Sequence, residues 1–109
     1  MSLHEEMTPI LNTIGQELIA ATPEHWLSAE LTIEIKQHLK ETQGVSHTIT
    51  SPDGHRDLVG PTEELMNATH SLVVLCERHH QLFQRLKFSV SQNETGGWRF
   101  NSDWSYPQR

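Results

Sequence analysis

The sequence predicts an α+β fold: one four-stranded antiparallel sheet with two helices packed on one face, in the order α-β-β-α-β-β. Three observations predict it. Two stretches carry apolar residues at helical spacing. Four shorter stretches alternate apolar and polar residues with period two. Those four fall into two pairs, each joined by turn residues, as antiparallel hairpins are. At 109 residues the chain, residues 1–109, is expected to form a single domain that buries a core without covalent staples.

Thr8-Pro9 opens the first helix, with Thr8 as cap and Pro9 in the first turn. Met7, Ile10, Leu11, Ile14, Leu18 and Ala21 form one apolar stripe. The helix is expected to end near Thr22-Pro23, because proline disfavours helix in the residue before it. Glu24-His25-Trp26 is a short link. Ala29, Leu31, Ile33 and Ile35 then alternate with Glu30, Thr32, Glu34 and Lys36, which makes the first strand half-buried. Gln43-Gly44 marks a turn, and residues 45–50 alternate again. The stretch SPDGHRDLVGP (51–61) is a loop rich in turn residues.

Pro61 begins the second helix, which the pattern carries to about Arg85. Glu63 and Glu64 sit in its first turn, where the helix dipole favours acids. Leu65, Ala68, Leu72, Leu75 and Leu82 line one side, and Val73, Val74, Cys76 and Phe83 widen the stripe. Leu86, Phe88 and Val90 form the third strand. Asn93–Gly97 is a hairpin turn, and Trp98 and Phe100 alternate with Arg99 and Asn101 in the fourth. Trp98 and Phe100 share the phase of Leu86, Phe88 and Val90, which places them in the core. Trp104 and Tyr106 lie past that strand. Either they fold over the edge of the core, or they are exposed as aromatic anchors for a partner.

Composition narrows the function classes. The single cysteine, Cys76, excludes an intramolecular disulfide. The first residues are acidic and no apolar segment follows, so no signal peptide is expected; no stretch reaches the ~18 apolar residues of a membrane span. The expected location is cytoplasmic, with no membrane partner. Net charge is −6, and it is uneven: residues 1–64 hold eleven acids and three bases, residues 65–109 three acids and five bases. Such a balance argues against direct nucleic-acid binding, which needs clustered Lys and Arg. It suits a basic protein partner, since opposite fields speed encounter.

No catalytic constellation emerges. Cys76 and His80 stand four apart on a helix with His79 beside them, but no further ligand pair completes a metal set, so no metal and no cofactor are expected. Cys76 lies in the apolar run Val73-Val74-Leu75-Cys76, where a thiol is inert. Gly96-Gly97 reads as a hairpin turn and not as a phosphate loop. Asp53 and Asp57 are turn residues that offer at most an acid–base pair without a nucleophile.

The opening helix (MTPILNTIGQELIAATPEHW), the acidic strand (LSAELTIEIK) and the terminal hairpin (LKFSVSQNETGGWRFNSDWSYP) together resemble the YezG-like immunity proteins of bacterial polymorphic-toxin and contact-dependent inhibition systems. The resemblance spans nearly the whole chain. It implies a cytoplasmic, non-catalytic protein that binds and neutralises one cognate toxin domain, often a nuclease. Nucleases are commonly basic, and an acidic inhibitor can occupy the surface that holds nucleic acid. The alternative is a small acidic secretion chaperone that binds an extended client segment; a small hydrolase is the third. The residues expected to meet the toxin are Glu30 and Glu34 on the open sheet face, Asp53 and Asp57 in the adjoining loop, and Trp104 and Tyr106 in the tail.

Overall fold

A computed structural model describes residues 2–38, 42–57 and 59–106. Its order is α1 (Leu3–Ala21), β1 (Ser28–His38), β2 (Thr42–Thr50), α2 (Glu63–Arg78), β3 (Arg85–Gln92) and β4 (Trp98–Ser105). All strand pairs are antiparallel, in the spatial order β2-β1-β3-β4. The α-β-β-α-β-β order, the four-stranded antiparallel sheet and both hairpins stand as the periodicity predicts.

One face of the sheet carries Leu31, Ile33, Leu86 and Val90, all fully buried, with Phe88 beside them. They meet Ile14 and Leu18 of α1 and Leu65 and Leu72 of α2 in one core. The helices run antiparallel, and the His79 ring at the end of α2 bonds Glu6 of α1 across 2.7 Å. Gly15 gives the sheet close access to α1: a Cβ there would lie 2.4 Å from the Phe100 ring. Among the described residues no helix lies over the opposite sheet face. There Glu30, Thr32 and Glu34 are half-buried, while Arg85 and Lys87 are exposed.

Several boundaries differ from the sequence pattern for identifiable reasons. α1 starts at Leu3, capped by Ser2 and not Thr8; the Glu5 N–H donates to Ser2 Oγ at 3.2 Å. Pro9 therefore sits inside the helix, past its first turn, where it withholds the N–H that would bond the Glu5 carbonyl. Gln43 and Gly44 lie in β2, where Gly44 opposes Lys36, so they do not form the turn expected there; residues 39–41 lie outside the described residues.

The second helix stops at Arg78, not Arg85. His80 adopts φ 57°. The His80 N–H donates to the Glu77 carbonyl and the Gln81 N–H to the Cys76 carbonyl. This is a Schellman stop, with histidine in the left-handed position that usually holds glycine. Phe83 is thereby released from the helix and buried in the link to β3.

The fourth strand runs to Ser105, beyond the expected end at Asn101. Its register places Trp98, Phe100, Ser102 and Trp104 opposite Gln92, Val90, Phe88 and Leu86. All four even positions face the helix side. Trp104 is thus in phase with the core, correcting its placement past the strand, and its indole packs edge-on against Phe83 at 5.2 Å. The expectation of a core position for Phe100 is also corrected: it lies at the sheet edge and is 37% exposed. Trp98 is partly buried against the core.

Candidate functional site

The link between α1 and β1 is where the chain does something its local patterns did not announce. Trp26 is 1% exposed and its indole N–H needs an acceptor. The loop after β2 supplies one: Asp57 Oδ2 accepts from Trp26 Nε1 at 2.9 Å and from His25 Nε2 at 2.7 Å. His55 stacks on Trp26, with ring centroids 5.9 Å apart and planes 12° off parallel, and meets His25 edge-on at 5.0 Å. Four residues earlier in the loop, Asp53 accepts from Ser28 Oγ at 2.8 Å. The 51–57 loop is therefore clasped at two points onto the start of β1. The Trp26 indole, and after it the His25 ring, hold the Asp57 carboxyl below its ordinary value.

The donor atoms of His25, His55 and Asp57 all lie within 4.8 Å of one another, and the three residues are exposed. Two histidines and a carboxylate are a recognised ligand type for late divalent metals. Here the contacts are accounted for without an ion, because Asp57 Oδ2 serves two hydrogen bonds and His25 Nε2 makes one of them. Among the described residues no Ser, Thr or Cys side chain bonds either ring. Cys76 is buried, and burial pushes its thiol up. His79 is engaged with Glu6.

The six residues expected at a partner surface do not form one patch. Glu30 and Glu34 share the open sheet face. Asp53 and Asp57 lie in the clasped loop, next to the end of that face where β1 begins. Trp104 projects from the other side of the sheet. Tyr106 follows β4 and is 52% exposed. Nor is the open face an acidic one. The order β1-β3 brings Arg85 to Glu34 at 3.5 Å, and places Lys87 beside Thr32 and Asp103 beside Lys87.

Net negative charge collects at one end of the molecule instead. The close of α1, the start of β1, the 51–57 loop, the start of α2 and the β3–β4 turn all meet there. Among the described residues, seven acids belong to this end (Glu17, Glu24, Asp53, Asp57, Glu63, Glu64 and Glu94), against two bases, Arg56 and Arg99. Glu30 borders it on the open face. Sequence reasoning missed His25, Trp26, Ser28 and His55 as parts of this end, and Glu17, Glu24, Glu63, Glu64 and Glu94 as its neighbours. The available signal was a tryptophan in a short link, which a small domain seldom leaves unburied.

Compared with known families and proteins, the chain matches no family model and no curated protein.

Proposed function

We propose that this protein is an immunity protein that binds and neutralises a basic toxin domain, with a nuclease as the favoured toxin class. The observation that carries the reading is the acidic end. The fold sets seven of the fourteen acids, from five separate segments, beside only two of the eight Lys and Arg residues, so net negative charge collects there. The loop that presents Asp53 and Asp57 is also held in position by Ser28, His25 and Trp26. A preset acidic surface binds a nucleic-acid-binding enzyme by occupying its phosphate-contacting face. The resemblance of the three sequence segments to YezG-like immunity proteins supports the same reading.

The acidic end replaces part of the surface expected from sequence. Asp53 and Asp57 belong to it, and Glu30 borders it. Glu34 is paired with Arg85 away from it, and Trp104 serves the core. The test is protection. The toxin domain encoded beside this gene is expressed with and without the chain, and cell survival is counted. Survival only with the chain is expected; equal killing in both cultures removes the proposal.

A further inference from the structure

We propose that this protein forms a symmetric homodimer in which β4 pairs antiparallel with β4 of a second copy. The strand lies at the sheet edge, paired only to β3 among the described residues. It runs for eight residues without a proline or a bulge, the kind of edge that recruits another strand unless it is blocked.

The direction of its backbone groups follows from three hydrogen bonds. The Asn93 N–H donates to the Gly97 carbonyl, in register with the β3–β4 ladder. The Gln92 N–H donates to Leu27 and the Ile35 N–H to Gln84, both in register with the β1–β3 ladder. Because N–H and C=O groups alternate sides along a strand, Arg99, Asn101 and Asp103 direct theirs to β3. Trp98, Phe100, Ser102 and Trp104 direct theirs outward.

A second β4 can meet these outward groups only in registers whose twofold axis falls on a residue. Side-chain charge selects among them. The strand reads WRFNSDW around Asn101. With the axis at Asn101, each Arg99 stands opposite the second copy's Asp103, so the charged pair forms twice, once on each side of the axis. They occupy non-hydrogen-bonded positions, where cross-strand side chains are closest. Phe100 then opposes Ser102 in a hydrogen-bonded pair, and Trp98 opposes Trp104 on the helix side. Moving the axis to Ser102 sets Arg99 against Ser105; moving it to Phe100 sets Arg99 against Asn101. Neither makes a charged pair. Arg99 and Asp103 have no ion pair within the chain among the described residues, and the pairing covers Phe100, 37% exposed in the single copy.

The dimer does not depend on toxin binding, and its test needs no toxin. Analytical ultracentrifugation of the full chain over a concentration series is expected to show a species of twice the 12.5 kDa chain mass. Arg99→Asp and Asp103→Arg each place like charges opposite one another at both symmetry-related sites, and each is expected to weaken dimerisation on the order of tenfold. The double variant Arg99→Asp/Asp103→Arg restores the wild-type constant. Ser102→Pro removes an outward N–H without touching the β3 ladder, as proline on an edge strand can; it is expected to abolish the dimer and leave the circular dichroism spectrum unchanged. A wild-type chain that stays at monomer mass overturns the proposal. So does a dimer that Ser102→Pro leaves intact, or a double variant as weak as the singles.

Discussion

Replacing Trp104 by alanine tests whether the aromatic tail belongs to the fold. Trp104 is partly buried, opposite Leu86, and its ring meets Phe83 edge-on at 5.2 Å. A tryptophan buries up to ~250 Å², and here on the order of 100 Å² of apolar contact is lost, about 2.5 kcal/mol at ~25 cal/mol/Å². In a domain of this size each kcal/mol moves the melting point by roughly 4–8 °C, so a fall of about 10 °C or more is expected. The specific contribution of the ring pair comes from a double-mutant cycle with Phe83→Leu, which keeps the buried site filled. A coupling of about 1 kcal/mol is expected from an edge-to-face pair. The assay is urea denaturation of the four variants at equal concentration. A Trp104→Ala midpoint equal to wild type, or strictly additive losses, would refute the placement of Trp104 against Phe83.

Three further outcomes follow. His80→Gly relieves a left-handed conformation that costs a residue bearing Cβ roughly 1–2 kcal/mol, so unfolding experiments should show a stabler protein, by about 1 kcal/mol after the added backbone entropy of glycine. The His47 Nε2 is buried without a partner among the described residues, and burial holds its pKa below the ordinary 6.5; the unfolded chain therefore takes the proton first, and stability should fall as pH drops below about 6.5, a loss that His47→Phe removes in melts taken across pH. Cys76, buried with its thiol pushed up, should react with a thiol reagent only under denaturing conditions, and fast labelling of the native chain would show that α2 opens.

The element order was legible because each element buries one face, and that face imposes its period on the sequence. The boundaries that were not legible lack that constraint. Leu82 and Phe83 continue the apolar spacing of α2, but the helix stops at Arg78 and His80 takes the left-handed turn, where no glycine announces the stop. β4 looked short because Ser102, on the helix face, breaks the alternation; an edge strand tolerates a polar residue there, and Trp104 resumes the phase two positions on. The clasp was invisible to any local pattern, since Trp26 and Asp57 are 31 positions apart. The charge distribution depended on the same non-local step. Reading β1 alone suggested an acidic face, and only the β1–β3 adjacency reveals Arg85 and Lys87 beside it.

The central claim, that the acidic end receives a basic partner, is tested most directly by comparing two charge reversals that alter net charge equally. Glu24 lies at the acidic end, and Glu77 lies at the far end of the helix layer; both are exposed. The association rate with the toxin domain is measured for Glu24→Lys and Glu77→Lys over a range of ionic strengths. Steering acts within about a Debye length, ~10 Å at moderate salt, so position should outweigh net charge. The account predicts that Glu24→Lys slows association several-fold at low salt and flattens its salt dependence, while Glu77→Lys stays near wild type. Equal effects from the two reversals, or a rate indifferent to Glu24→Lys, would contradict it.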